Sequence, residues 1–480
     1  METLTPILTI LIPFLEVLGI LTALHAILFI RSVQGAVAWA ISLVTFPWLA
    51  LPLYWIFGRD KFKGYREALR AGNIQARHLN ERTKKRLSRY TAPPTENRSQ
   101  TNAFDRVFTH LADMDFTMAN AVTLLVNGRE TFETMFSRIE SAKHFVLLEF
   151  FIIRNDNIGR RLRDLLIRKA EQQVKIYFLY DEIGSRHLNN EYLEPLKAAG
   201  AQVYPFFTTR GRRNRFQLNF RNHRKILVID GRIGFVGGHN IGDEYLGTTR
   251  KYGTWRDSHV MVEGPAVLGI QLTFNGDWFW ATREKLEIEW NVHPAPSENM
   301  AALPLATDPG HIMDTCLLFF LNAILAARHR LWIASPYFVP NDSIIEALQI
   351  AALKGVDVRI LLPGRPDKKI AYLASFAFFR RLSLPNIKIY RYQPGFMHQK
   401  VMIIDDEMSV VGSANFDNRS FNLNFEMNML VKDREFTGRV EQMLRNDFKK
   451  SRRAEYPGKY KNNWLFRLAV RLCSLFSPIL

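Results

Sequence analysis

Asn222-His-Arg-Lys-Ile-Leu-Val-Ile-Asp230 and Met397-His-Gln-Lys-Val-Met-Ile-Ile-Asp405 are two copies of one pattern, His-x-Lys-x-x-x-x-Asp, with histidines 175 residues apart. A single match arises by chance in roughly a few of every hundred chains of this length, so alone it says little. Here each copy is followed by small residues and an Asn: Gly237-Gly238-His239-Asn240 and Gly412-Ser413-Ala414-Asn415. The flanking order also repeats. The apolar run 145–153 is answered by 331–338, the helical spacing of 158–172 by 342–354, and the run 174–180 by 356–362. Residues 201–205 match 386–390 in the same way. Alternating strands and helices indicate an α/β fold, and an internal repeat indicates duplication. The expectation is two tandem α/β domains, 116–297 and 298–450, related by a pseudo-twofold.

The spacing has a chemical meaning. His and Lys two apart on a strand share a face. The four residues before each Asp are apolar, as a strand buried on both faces requires. Asp230-Gly231 is a hairpin signal, and a two-residue turn there sets Gly238 opposite His223 and, by the repeat, Ser413 opposite His398. Small residues at those positions leave room beside each imidazole. A lone His at a strand end is ordinarily a satisfied polar residue, and a lone Lys a solvated charge. Packing gives no reason to demand the same pair twice.

Two such faces meeting make one site with His223, His398, Lys225 and Lys400, which suits a phosphodiester. The lysines, with Asn240, Asn415 and the Ser413 hydroxyl, hold phosphoryl oxygens as charge develops. One histidine attacks phosphorus and the other protonates the leaving alkoxide. Asp230 and Asp405 either orient the histidines or neutralise the lysines, and the pattern does not separate these roles.

The rest of the chain concerns its surroundings. Of 480 residues, 47% are hydrophobic and 23% charged, and the net charge of +18 attracts polyanions or an anionic membrane. The two cysteines, Cys316 and Cys473, form no CxxC or Cys/His cluster, which argues against structural zinc and a disulfide framework. Residues 4–30 are almost wholly apolar, broken by Glu16 and His25, and a second apolar run covers 36–57. Each is long enough, at about 1.5 Å per residue, to cross ~30 Å of hydrocarbon. The connection carries Arg31 alone. The far flank carries Arg59, Lys61, Lys63, Arg66, Arg70, Arg77, Arg82, Lys84, Lys85, Arg86 and Arg89. By the positive-inside rule, residues 1–58 form a two-helix transmembrane hairpin with everything after it cytoplasmic. Glu16 and His25, costly in lipid, are expected to contact each other, a partner helix or a headgroup.

Residues 59–115 read as a basic juxtamembrane region with a linker at 93–102. The tail 451–480 couples a basic cluster (Lys449, Lys450, Arg452, Arg453, Lys459, Lys461) to the apolar stretch 464–476 with Arg467 and Arg471. That suits a helix lying in an anionic interface. Phe274, Trp278, Phe279 and Trp280 belong either to that interface or to the core.

At the two His-Lys-Asp segments the chain resembles the phospholipase D superfamily, whose signature is this duplicated motif. The likeness narrows to bacterial cardiolipin synthases through Trp255-Arg-Asp-Ser-His259, Glu263-Gly-Pro-Ala266, Ser335-Pro-Tyr-Phe-Val-Pro340, Ile360-Leu-Leu-Pro-Gly364, Tyr392-Gln-Pro-Gly-Phe396, Asp417-Asn-Arg-Ser-Phe421 and Asn424-Phe-Glu426. It spans the chain from the apolar hairpin to the last strand, with 59–115 the least characteristic part. The resemblance implies a phosphatidyltransferase in the bacterial inner membrane that needs no metal or other cofactor. It joins two phosphatidylglycerols through a phosphohistidine and releases glycerol. It also implies His223 as nucleophile and His398 as acid. The alternative is a phospholipase D-type hydrolase of phospholipids or, less in keeping with a membrane anchor, of nucleic acid, which is not an expected partner. Phosphatidylethanolamine in place of phosphatidylglycerol as acceptor, and the oligomeric state, are both left open by the sequence.

Overall fold

The chain is seen in a computed structural model that describes residues 4–30, 32–58, 61–70, 85–91, 103–207, 209, 219–248, 253–454 and 463–480. Arg31, Arg59, Arg77, Arg82, Lys84, the 93–102 linker, Lys459 and Lys461 lie outside the described residues.

The repeat is visible as strand order. In the first half the hydrogen-bonded sequence runs Thr117–Val126, Ser258–Glu263, Ile233–Gly237, Lys225–Ile229, Phe145–Phe150, Lys175–Asp181, Gln202–Phe206. The second half repeats it as Met300–Thr307, Asn424–Lys432, Met408–Gly412, Val401–Ile404, Arg330–Ala334, Asp357–Pro363, Ile387–Tyr392. Within each half the last three strands are parallel and the others antiparallel. Thr117–Val126 pairs with Met300–Thr307, so both halves form one continuous sheet. The crossover helices also correspond. Asn157–Glu171 and Asp342–Leu353 start at Asp156 and Asn341, whose side chains accept the Gly159 and Ile344 N–H groups.

The apolar strands are buried on both faces. Outer helices cover one side of each half, and between the halves lies a shared core, where Val228, Val236 and Val260 join Ile403, Val411 and Met429. Phe274, Trp278 and Trp280 are buried and Phe279 half-buried, so the interfacial option for this group fails. The tail opens with Ser451–Arg453, an edge strand paired with Ile387–Tyr392, before its helix Trp464–Ser474.

The N-terminal expectation is met once and altered once. Helix α1, Leu4–Phe29, contains the stretch Thr9–Phe29, long and apolar enough to cross a membrane. The second run is not one helix. It divides into α2, Val33–Thr45, and α3, Pro47–Phe57, with Phe46 at φ −135° and ψ 59°. The ring of Pro47 drives the residue before it out of the helical region. Glu16 is exposed and does not pair with His25, whose Nδ1 lies 2.7 Å from the Tyr54 hydroxyl on α3.

Residues 61–70, for which the sequence offered no role, dock against the body formed by the two halves. Phe62 and Tyr65 pack with Phe206, Phe220, Trp280 and Phe425, while Lys61 pairs with Asp314 and Arg66 with Asp308.

The hairpins correct a register. Asp230 and Gly231 both have positive φ (52° and 64°), as the Asp-Gly signal requires, yet Ile229 pairs with Ile233 and the loop takes three residues. Ile404 pairs with Met408 in the same way. The one-residue shift sets Gly412 beside Lys400, whose carbonyl accepts the Gly412 N–H, so Gly238 and Ser413 do not lie opposite the histidines of their own hairpins. The aspartates close these turns. Asp230 accepts the N–H groups of Lys143, His144 and Phe145, and Asp405 those of Arg328, His329 and Arg330. Asp230→Ala is therefore expected to lower unfolding stability by about 2–3 kcal/mol. A lowered melting temperature with activity per folded molecule retained is the result to look for; lost activity at unchanged stability would return Asp230 to the site.

Candidate active site

Each histidine is set by the other half of the chain. The short strand Arg221–Asn222 runs parallel to the start of Asn424–Lys432, and Gly395–Met397 runs parallel to Thr254–Arg256. The His223 N–H donates to the Phe425 carbonyl at 2.9 Å, and the His398 N–H to the Arg256 carbonyl at 2.7 Å. The residue following each carbonyl supplies a carboxylate to the ring. Glu426 lies 2.9 Å from His223 Nδ1, and Asp257 lies 2.6 Å from His398 Nδ1. Orienting the histidines, a role open to Asp230 and Asp405 from sequence, thus belongs to Glu426 and Asp257.

These contacts fix which nitrogen is available. A carboxylate at Nδ1 keeps the proton there and leaves Nε2 with its lone pair. Among the described residues His223 Nε2 has no hydrogen-bond partner, whereas His398 Nε2 accepts from the Lys400 ammonium at 2.9 Å. Both lysines also donate to the carbonyl of their own histidine at 2.6 Å.

Burial dominates the electrostatics. It pushes His223 down to about 3 and His398 to about 4, so both rings are neutral near pH 7. It also brings Lys225 to about 7 and Lys400 to about 8, against the pull of Glu426 and Asp257. Each lysine lowers the other half's histidine, which marks the four groups as one electrostatic unit. Burial works to raise both carboxyls. His223 and Lys225 nevertheless hold Glu426 below its ordinary range, and His398, His239 and Lys400 do the same for Asp257.

The supporting residues divide. Ser413 Oγ donates to Glu426 at 2.5 Å and accepts the Met427 N–H at 2.9 Å, so it holds the carboxylate and has no donor left for a phosphoryl oxygen. Asn240 accepts the Ile152 N–H and donates to the Tyr245 hydroxyl, a bracing position. Asn415 is buried with Oδ1 unpartnered among the described residues, and it alone keeps an uncommitted side chain. Gly238 fits because a Cβ there would lie 2.1 Å from Asp257 Oδ1. Behind Asp257 stand His239 and His259, fully buried, with ring centroids 5.8 Å apart and no partner among the described residues.

The residues following the histidines point the other way, as strand alternation dictates. Arg224 forms a buried ion pair with Asp277, which also accepts the Tyr65 hydroxyl. Gln399 bonds Asp447, which pairs with Arg256. Among the described residues no three His, Cys, Asp or Glu side chains converge to hold a metal ion.

The structure brings His223, His398, Lys225 and Lys400, the four groups expected from sequence, close enough to act on one another electrostatically. Sequence reasoning missed Glu426 and Asp257 as ring partners, although both stood in segments with family likeness. Their common feature is a carboxylate directly after the residues that pair across the halves. Asp257→Asn and Glu426→Gln should each lower kcat by about 10²- to 10³-fold with little change in KM. Equal loss in KM would mean they act on binding instead. Lysines must be protonated to hold an anion, so kcat/KM should fall as pH rises through about 7–8. In Lys225→Arg the midpoint of that fall should move towards the higher value of Lys400; an unmoved midpoint would remove Lys225 from the profile.

Comparisons with known proteins place the chain in a family. A family model described as "Cardiolipin synthase, PLD-like domain" matches residues 135–268 and 320–448, once in each half. Cardiolipin synthase A of Pseudomonas putida is 45% identical over 467 residues, covering 97% of both chains. That of Pseudomonas fluorescens is 46% identical over 473 residues, covering 98% of both. A solved phosphatidylserine synthase from Haemophilus influenzae shares the fold at a TM-score of 0.58 and 15% identity, covering 79% of this chain and all of that one. With a match in each half and near full-length identity to curated members, the chain belongs to the bacterial cardiolipin synthases of the phospholipase D superfamily.

Proposed function

We propose that this chain makes cardiolipin by transferring the phosphatidyl group of one phosphatidylglycerol to the free glycerol hydroxyl of another. The observation that carries this reading is the exchange of carboxylates, Glu426 to His223 and Asp257 to His398, which gathers two imidazoles and two lysines in one buried site. His223 Nε2 attacks phosphorus, the bond from phosphorus to the glycerol oxygen breaks, and His398 gives that oxygen a proton. Lys400, at 2.9 Å from His398 Nε2, supplies the proton that His398 passes on. Lys225 and Asn415 hold the phosphoryl oxygens throughout, and Lys400 holds them with its ammonium until it passes its proton to His398. In the second step the acceptor hydroxyl gives its proton to His398 as its oxygen attacks, His398 returns that proton to Lys400, and the bond from phosphorus to His223 breaks. The uncommitted Nε2 favours His223 over His398 as nucleophile.

The same proposal includes the architecture around the site. A pseudo-twofold relates 116–297 to 298–450, consistent with the reciprocal pairings. Residues 1–58 form a hairpin in the bacterial inner membrane, with α1 crossing and α2 and α3 returning as a broken segment. Residues 59–115 lie at the cytoplasmic surface, as does the tail 451–480.

The test uses the purified full chain in liposomes with labelled phosphatidylglycerol as the only reactive lipid. Cardiolipin and glycerol in equal amounts are expected, with both lost in His223→Ala and His398→Ala. A labelled protein adduct that survives in His398→Ala and is absent in His223→Ala would fix the order of events. Phosphatidic acid as the main product would make the enzyme a hydrolase and refute the transfer.

A further inference from the structure

The helix Trp464–Ser474 has two apolar faces with different fates. Phe466 and Val470 turn inward, and Phe466 meets Phe376 of the helix Lys369–Phe379 at 5.4 Å between ring centroids. Trp464 is 66% exposed and Leu472 53%, and Leu465, Leu468, Leu475 and Phe476 are exposed with them. A contiguous apolar surface of this kind marks a contact with a membrane or partner.

Beside that surface lies a cleft of about 820 Å³. Its apolar wall includes Phe376, Trp464 and Leu468, and its charged wall is formed by Arg380, Arg381, Arg467 and Arg471, with no carboxylate in the lining. Arg381 is committed to Asp342 and Glu346. The other three guanidiniums have no ion-pair partner among the described residues. Guanidinium binds phosphate oxygens in a bidentate fork, and apolar walls alongside suit acyl chains.

The position of the cleft identifies its occupant. Arg419 donates through its N–H to the Leu480 carbonyl at 2.8 Å and through its side chain to the Ile479 carbonyl at 3.2 Å. The same guanidinium reaches the Asn219 carbonyl at 2.5 Å, and the Asn219 side chain donates to the Phe57 carbonyl at 3.3 Å. Phe57 is the last residue of α3. The end of the chain is thus tied, through two side chains, to the point where the apolar helices end. A helix held at that level with Trp and Leu outward meets lipid, not a second protein.

We propose that this cleft binds the anionic headgroup of a membrane phospholipid at a site separate from the catalytic histidines. The arginines engage the phosphate, and the acyl chains run along Trp464, Leu468 and Leu472. The site would hold the soluble body against anionic bilayer and choose lipid by charge before any reaches the catalytic centre.

The test reads Trp464 in the full chain reconstituted in phosphatidylcholine nanodiscs. Increasing amounts of brominated phosphatidylglycerol are introduced, and the fluorescence of Trp464→Phe is subtracted to isolate Trp464. Quenching should saturate at low mole fraction with brominated phosphatidylglycerol and only follow bulk content with brominated phosphatidylcholine. Arg380→Gln/Arg467→Gln/Arg471→Gln should need about tenfold more anionic lipid for the same quenching. Equal quenching by both lipids, no quenching by either, or an unshifted triple variant would each overturn the proposal. If the triple variant does not fold, competition on the wild type decides. Unbrominated phosphatidylglycerol should then relieve quenching more than phosphatidylcholine does, and equal relief would refute the site. The readout is independent of turnover, so failure here leaves the transfer reaction standing, and the reverse also holds.

Discussion

The contact on which the structure turns is a carboxylate from one half bonded to the imidazole of the other. Glu426 and Asp257 are fully buried, and a buried carboxylate is tolerated only when charge and hydrogen bonds surround it. Each has them. Glu426 takes His223, Ser413 and Asn424, and Asp257 takes His398 and the Ser258 N–H. With the lysines protonated, two negative and two positive groups balance around two neutral rings. A phosphodiester adds one negative charge to that balance. It enters most readily when both lysines hold their protons, so lysines near 7 and 8 tie substrate binding to proton uptake. Neither half contains a complete pair, and the duplication therefore yields one active centre instead of two.

The scaffold holds this arrangement with ion pairs facing away from it. Arg224 and Gln399 follow the histidines and project to the opposite side, where Asp277 and Asp447 receive them. Arg224 also donates to the carbonyls of Glu426 and Thr307, and so secures the strand that carries the His223 partner. Removing one member of such a pair leaves a buried charge unpaired, which costs several kcal/mol. Tyr65 joins the same network through Asp277, and Phe62 and Tyr65 pack on Phe425. The segment that follows the apolar helices is consequently part of the support for Glu426 and not a passive spacer.

What could be read from sequence follows the range of the interactions. Strand and helix order came from periodicity over a few residues, and the repeat made each half a check on the other. The His and Lys positions followed because a period of two puts both on one face. The turn register did not, since a two-residue and a three-residue loop both accept Asp-Gly and differ by one position that flips the opposed residue. Asp230 and Asp405 looked catalytic because they close the motif, and nothing local distinguishes a turn clamp from a ring partner. Glu426 lies 203 residues from His223 and Asp257 lies 141 from His398, beyond the reach of any local pattern. The break at Phe46 is the exception. Pro47 is a local signal for it, one that an apolar run long enough to span a membrane masks.

A reaction between two lipids makes twice a demand that hydrolysis of one lipid makes once: the catalytic centre must keep a fixed height above the bilayer. The contacts around Asn219 meet it. This residue lies four positions before His223, and its side chain reaches the end of α3 while its carbonyl receives Arg419. Arg419 in turn belongs to the helix Asn418–Asn422, just ahead of the strand that bears Glu426. His223 and Glu426 are therefore both approached, within a few residues, by contacts that lead back to the apolar helices. In the proposed topology, with α1 in the bilayer, motion of the body along the membrane normal would strain these short links before it moved His223 relative to a lipid. A hydrolase needs that restraint for its lipid donor alone, because water reaches phosphorus at any height. An enzyme whose second substrate is another lipid in the same plane requires it for both.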